Sequence, residues 1–418
     1  MALRRALPIL ALLLSQTVAS HAQTPPLFSL TGSTSVTAGA DEKSIVGERR
    51  TVQQFLLIAP AAATIQKQSA RSRFDLRYWP EFELFGSDLH LDSWNHRGRL
   101  LFSHKLTRRW RFDLGDSFLS TRDPSRSLGN TYLLLPRDRY RENSAYASVD
   151  FDISPRTTWS FRFDQTVVRY GLPDDLRRNF FDQNGSAWTT SIARQMTPRG
   201  RMTATYSFLR ASLRSIESDT GVNLAGVAAP IQSVNFGYIL ERPGFGLGGS
   251  AGVLFSNGFS YLMSAHAVKQ LGGAWVDAGY SRSLSFYSAF APEPVVTGVV
   301  EEPFAGGLLL GNIFQSVTVG VRGQHKRFGL QLRGTASWNA SRASQLDSRS
   351  FVGLGRVTYR LTDRLVLLAA AEVYRQNLNE LVGIPFARRR VFGGIEFDIA
   401  RRHAADVAAS GMNQEPQK

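Results

Sequence analysis

The chain has 418 residues, 43% of them hydrophobic and 20% charged, and no cysteine, which excludes disulfides, thiolate nucleophiles and cysteine-based metal centres. Lys plus Arg number 49 against 34 Asp plus Glu, a formal net charge of +15, and only six of those residues are lysine, so the positive charge is almost entirely guanidinium. The length fits two or three ordinary domains or one large all-β barrel.

Arg4 and Arg5 precede the apolar run 6–14 and the small residues Ser20 and Ala22, the pattern of a secretory signal peptide over residues 1–22. Its removal takes two arginines and no acids and leaves +13. Beyond it no run of 18 apolar residues occurs, so no helical span is expected.

From there to residue 399 the hydropathy alternates with period two. Phe74, Leu76, Tyr78, Phe82 and Leu84 share one face, against Arg73, Asp75, Arg77, Glu81 and Glu83 on the other. Ala145, Ala147, Val149, Phe151 and Ile153 oppose Tyr146, Ser148, Asp150 and Asp152. Trp159, Phe161 and Phe163 oppose Ser160, Arg162 and Asp164; Leu330, Leu332, Ala336 and Trp338 oppose Gln331, Arg333, Thr335 and Ser337. A pleated strand separates such residues onto two faces; a helix does not. The turns between strands repeat one pattern of apolar, hydroxyl, variable and arginine residues: Leu106-Thr107-Arg108-Arg109, Ile153-Ser154-Pro155-Arg156, Met196-Thr197-Pro198-Arg199 and Leu361-Thr362-Asp363-Arg364. These short turns alternate with longer segments such as 122–142, 172–185 and 289–311.

The pattern predicts an all-β fold over residues 23–399, a transmembrane up-and-down antiparallel β-barrel of about 18 strands, with 16 as the alternative count. Short turns are expected on the periplasmic side and longer loops outside. Phe28 to Thr37, rich in Ser and Thr, is the weakest strand. Asp116 falls on the apolar face of its strand, so a bulge or a near-interface position is expected there. A soluble propeller or sandwich is the competing fold; aromatics such as Trp110, Trp159, Trp188, Tyr206 and Tyr359 near strand ends favour the barrel.

The last strand ends Gly394-Ile395-Glu396-Phe397-Asp398-Ile399, similar to the barrel-assembly signal of bacterial outer-membrane proteins, with Gly394, Phe397 and Ile399 as its marks. It departs from that pattern at Phe392, where a polar residue is usual, and in being followed by residues 400–418, read as a flexible periplasmic tail. The stretch Tyr78-Trp79-Pro80-Glu81-Phe82-Glu83, with Asn95-His96-Arg97 and Leu106-Thr107-Arg108-Arg109-Trp110 after it, resembles uncharacterised bacterial outer-membrane β-barrel proteins of porin type, some associated with exopolysaccharide export loci. The resemblance implies an outer-membrane barrel and solute or polymer passage, and supplies no catalytic residues.

With the apolar face toward lipid, the pore-lining candidates are Arg73, Asp75, Arg77, Glu81, Glu83, Arg97, Arg99, Arg162, Asp164, Arg333, Arg356, Arg360, Arg388 and Arg390. Arg356, Arg360, Arg388 and Arg390 come from strands separated by one other. They form either an anion-favouring ladder or a wall stiffened by pairing with Glu372, Glu396 and Asp398. Arg122, Arg126, Arg137, Arg139 and Arg141, near the outer rim, suit phosphate groups of lipid or lipopolysaccharide. Other expected partners are the barrel-assembly machinery and, for an exporter, periplasmic polysaccharide-export proteins; nucleic acid is excluded by compartment and fold.

No cofactor or metal tract is evident, and Gly246-Leu247-Gly248-Gly249 reads as a small-residue strand that leaves room for an inward-folded loop rather than as a phosphate loop. His90 and His96, with Asp88, Asp92 and Ser93, are the best hydrolase cluster, and among strand histidines His266 alone has interior parity. The expectation is a non-enzymatic porin-like channel in the bacterial outer membrane for small, in particular anionic, solutes. A polysaccharide exporter and a rim-active hydrolase are the alternatives. Residues 289–311 are the candidate constriction or lid.

Overall fold

The computed structural model describes residues 28–45, 51–86, 92–122, 139–171, 182–214, 226–227, 230–255, 259–284, 313–339, 348–378 and 386–398. The signal segment, the tail after 398, His90 and the 289–311 segment lie outside them. The first strands are β1 (Phe28–Ile45), β2 (Thr51–Gln68), β3 (Ser72–Phe85), β4 (Ser93–Lys105), β5 (Trp110–Thr121) and β6 (Tyr140–Ser154). Then come β7 (Thr157–Tyr170), β8 (Asp182–Thr197), β9 (Gly200–Arg214), β10 (Gly226–Val227), β11 (Ile231–Arg242), β12 (Phe245–Phe255) and β13 (Phe259–Leu271). The last are β14 (Ala274–Leu284), β15 (Ile313–His325), β16 (Phe328–Asn339), β17 (Ser348–Arg360), β18 (Leu365–Leu378) and β19 (Phe386–Asp398).

All belong to one antiparallel sheet. The two-residue β10 pairs with β9 just beyond β11, so those two segments make one wall strand and the wall has 18 strands. The strand that looked weakest in the sequence, β1, runs 18 residues and pairs on both sides, with β2 and with β19. Its pairing with β19, unbroken from Ser33↔Asp398 to Ile45↔Phe386, closes the barrel and leaves the sheet without an edge.

The alternation seen in the sequence becomes an inside and an outside. Large apolar side chains stand exposed on the outer face, Phe259 at 71%, Val391 at 62% and Phe236 at 61%. The opposite face carries the buried polar residues, among them Asp41, Asp75, Glu83, Asp164, Ser207 and Thr335. A water-soluble sandwich has the reverse arrangement.

The repeated hydroxyl of the short turns has a structural reason. Thr107 Oγ1 accepts from the N–H groups of Arg109 and Trp110 at 3.2 and 3.1 Å, and Thr362 Oγ1 from those of Arg364 and Leu365 at 3.3 and 3.1 Å. Ser154 and Thr197 hydroxyls take the N–H of the residue two further on, each at 3.3 Å. The side chain thus satisfies turn donors that no strand partner reaches. Other turns use the left-handed region, at Gly244 (φ 70°), Gly272 (φ 60°) and Lys326 (φ 52°).

Two register shifts lie together, between Ser33 and Ser35 of β1 and between Ile58 and Ala63 of β2. Pro60 falls inside the β2 irregularity and Pro80 in the stretch of β3 facing it, where a residue without an N–H costs the ladder least. No such shift occurs at Asp116, whose pairing with β4 and β6 is continuous. Of the two expectations, a bulge or a near-interface position, the bulge is therefore absent; the carboxylate is satisfied by Asn143, whose Nδ2 donates to Oδ1 at 2.8 Å.

At the closing seam the backbones of β1 and β19 approach too closely for a side chain at Gly394. A Cβ there would lie 2.3 Å from the Val36 carbonyl oxygen and 2.7 Å from Thr37 Cα, whereas one at neighbouring Gly393 meets only the Leu368 oxygen at 3.5 Å. Gly394→Ala is expected to reduce sharply the yield of the heat-modifiable, fast-migrating folded form in gel electrophoresis without boiling, with Gly393→Ala close to wild type. Equal yields for the two would contradict the close approach.

Candidate functional site

The interior face of the barrel is the candidate site. Its first sector, β3 to β7, carries charge. Arg73, Asp75, Arg77, Glu81 and Glu83 stand on the interior face of β3, Arg97 and Arg99 on that of β4, Arg162 and Asp164 on that of β7. Residues two apart on a strand share a face, so opposite charges at that spacing meet. Arg77 Nε donates to Asp75 Oδ1 at 2.7 Å and Nη2 to Oδ2 at 3.0 Å, while Gln66 Nε2 reaches the same carboxylate at 2.7 Å. Arg162 holds Asp164 through Nε and Nη2 at 2.6–2.9 Å and stacks over the Tyr146 ring, its Cζ 3.9 Å from the centroid. Tyr146 lies in the space a side chain at Gly115 would occupy, a Cβ there falling 2.1 Å from Cε1. Arg111 bridges Asp113, at 3.0 Å, and Asp150.

A second sector is the inner side of the closing seam. Arg388 grips Asp41 with Nε to Oδ1 at 2.8 Å and Nη2 to Oδ2 at 2.6 Å. Arg390 reaches past β1 and β2 to donate to Glu83 Oε1 of β3 at 2.6 Å, and its guanidinium lies 3.9 Å from the Phe55 ring centroid. Phe55 in turn meets Phe85 and Phe392, both at 6.3 Å between centroids. Asp41 and Glu83 are fully buried, and both arginines are nearly so. Phe392 departs from the assembly-signal pattern because its ring belongs to this interior cluster. Gly394 stands at the seam, Phe397 pairs with Leu365 and Thr34, and Ile399 lies outside the described residues.

The four arginines, expected either as a ladder or as a paired wall, divide. Arg388 and Arg390 pair with Asp41 and Glu83, not with the Glu372, Glu396 and Asp398 offered by the sequence. Arg356 approaches Glu396 at 3.6 Å, and Arg360 is exposed at the turn end of β17. Arg333 stands on the interior face of β16. Asp41, Phe55 and Phe85 were not among the sequence candidates.

In the third sector, β12 to β17, the interior charges Asp277, Arg322, Arg333, Arg356 and Arg360 lie toward the short turns, and nearer the loop end stands a row of hydroxyls that was not among the sequence candidates. Ser250, Ser264, Ser281, Ser316, Ser337 and Ser350 are direct cross-strand neighbours on six adjacent strands, one continuous row of interior hydroxyls. They hydrogen bond in pairs at 2.7 Å: Ser250 with Ser264, Ser281 with Ser316, and Ser337 with Ser350. In each pair one hydroxyl donates to the other, so the second retains its own O–H for a further partner. Thr318 and Thr335 form a similar pair in the next row, at 3.1 Å. Beside them the His266 ring fills the space a Cβ at Gly248 would need. Each serine is one polar position in an alternating strand; only the register between strands makes them a row.

Of the hydrolase cluster, Asp92, Ser93 and His96 lie among the described residues, and His90 and Asp88 lie outside them. His96 faces outward, its Nδ1 taking the Trp94 Nε1–H at 2.9 Å and lying 2.7 Å from the Tyr78 hydroxyl, in an aromatic group on the outer surface. Asp92 accepts the Phe85 N–H at 2.8 Å.

No protein-family model and no curated protein sequence matches the chain. Among solved structures it is similar to OpdO of Pseudomonas aeruginosa, at 12% identity over 89% of this chain and 98% of that one, TM-score 0.46. It is also similar to a BenF-like porin from Pseudomonas fluorescens, at 10% identity over 88% and 98%, TM-score 0.46. A third is the siderophore receptor PirA from Pseudomonas aeruginosa, at 12% over 88% and 80%, TM-score 0.42.

Removing one member of a buried ion pair strands the other. Arg388→Ala is expected to destabilise the barrel by about 3–5 kcal/mol, and Arg360→Ala, at an exposed position, by less than about 0.5 kcal/mol, in urea unfolding of the refolded protein. Similar unfolding midpoints for both variants would contradict a stabilising seam.

Proposed function

We propose that this protein is a porin-like channel of a bacterial outer membrane, through which small polar solutes pass without energy input. One observation carries the reading: a closed wall of 18 strands exposes apolar side chains outside and presents ion pairs and hydroxyls inside. Apolar exposure on that scale suits hydrocarbon, and in hydrocarbon a closed barrel satisfies every ladder hydrogen bond. A barrel of 16–18 strands encloses more space than its own side chains fill, which leaves an aqueous path.

The interior chemistry bears on which solutes pass. Paired arginines attract an anion less than free ones, because the partner carboxylate cancels much of their field at a few ångströms. Arg388 and Arg390 are neutralised in this way, so the anion preference is weak and is set by less tightly held cations such as Arg356 and Arg360. The serine row offers donors and acceptors without charge, which an uncharged hydroxylated solute uses as well as an ion does.

Osmotic swelling of liposomes carrying the refolded barrel tests this. Small uncharged sugars and small monoanions are expected to enter at comparable rates, and replacement of Ser264 and Ser316 by Phe is expected to slow sugar entrance markedly. Swelling no faster than in protein-free liposomes would reject the channel. A large excess of anion over sugar flux would reject the weak-selectivity part.

A further inference from the structure

On its outer face the wall from β6 to β9 is layered. Phe163, Trp188 and Phe208 are direct cross-strand neighbours, with ring centroids 5.4 and 5.5 Å apart in sequence along the row. Toward the loop end the next row is Gln165, Ser186 and Arg210, in which Ser186 Oγ donates to Gln165 Oε1 at 2.7 Å. Asn143, Val167 and Asn184 follow, Asn143 holding Asp116 and Asn184 taking a hydrogen bond from Gln165. Above them Arg141 and Arg169 stand directly opposite each other, and Arg139 lies one step further, in register with Gly171. Aromatic, then amide and hydroxyl, then guanidinium is the order in which a bilayer passes from hydrocarbon through its interface to its headgroups.

The arginine group is built closely. A Cβ at Gly171 would lie 2.7 Å from the Arg139 Cβ, so the glycine makes room for that side chain. Arg169 Nη1 donates to the Val168 carbonyl at 3.0 Å, which holds its guanidinium at the strand end. Arg139, Arg141, Arg169 and Arg210 are all exposed. Like charges directly opposite each other on a strand pair repel, and an anion between them removes the repulsion. Planar guanidinium groups bind phosphate oxygens in bidentate fashion.

We infer that Arg139, Arg141 and Arg169 form an outward-facing binding site for the phosphate of a phosphorylated lipid headgroup in the leaflet at the loop end of the barrel. The inference rests on the membrane-barrel reading, though not on conduction through it. The partner is a lipid rather than a soluble anion because the site stands directly above the aromatic row on the hydrocarbon-facing side.

The test is thermal unfolding of the refolded full chain in zwitterionic micelles, with added diphosphorylated lipid A. Lipid A is expected to raise the unfolding temperature. Arg141→Gln with Arg169→Gln, at exposed positions, is expected to fold normally and to need about tenfold or more lipid A for the same shift, while Arg141→Lys with Arg169→Lys, which keeps the charge and loses the bidentate fork, is expected to fall between that variant and wild type. An equal shift from dephosphorylated lipid A would overturn the phosphate site in favour of acyl contacts. An equal shift from inorganic phosphate alone would overturn its assignment to lipid, and an unchanged response in the glutamine variant would overturn the residues named. A barrel that fails to conduct yet binds lipid A in this way would reject the channel and leave this site standing.

Discussion

Everything in this structure depends on closure of the sheet between β1 and β19. A strand edge inside hydrocarbon leaves a row of N–H and C=O groups without partners, each at a cost of several kcal/mol, so a membrane-spanning sheet closes or does not form. Closure here is made possible at Gly394, where the two backbones meet with no room for a side chain. It is reinforced from within by Asp41–Arg388 across the seam and Glu83–Arg390 spanning it to β3. The first and last wall strands are thereby tied by backbone ladder and by charge at once.

Period-two alternation then dictates the interior. With apolar side chains committed to the outside, most charged residues of a strand are sent inward, Asp116 and the rim arginines Arg141, Arg169 and Arg210 excepted. The arginine-rich composition would repel itself inside unless acids accompanied it. They do so at a spacing of two residues, as in Asp75–Arg77 and Arg162–Asp164, where the pleat itself makes the contact. The other side of the interior meets the same polar requirement with serine and threonine. The lumen therefore has one sector of ion pairs and another in which a row of hydroxyls stands above a few charges near the short turns.

Local features were legible in the sequence and long-range ones were not. Alternation located the strands, including the count of 18, and the hydroxyl-containing turns stood out because one side chain serves donors two and three residues away. The Asp41–Arg388 pair joins residues 347 positions apart, and its acid sits in the strand whose Ser- and Thr-rich composition looked weakest. Ordinary-looking serines become a row only through register, which the sequence does not encode position by position. Arg169 joins the rim arginines for the same reason, since the pairing of β6 with β7 brings it opposite Arg141. Of the bulge and the near-interface position expected at the outward Asp116, the bulge is absent, and Asn143 on the next strand satisfies the carboxylate, a long-range partner that the sequence pattern does not show.

Single-channel conductance of the refolded barrel in a planar bilayer, under a salt gradient, addresses the central claim most directly. A closed wall with a polar interior predicts discrete conductance steps with a reversal potential displaced only slightly toward anions. A correctly folded, heat-modifiable barrel that inserts and stays silent would contradict a water-filled path through its interior.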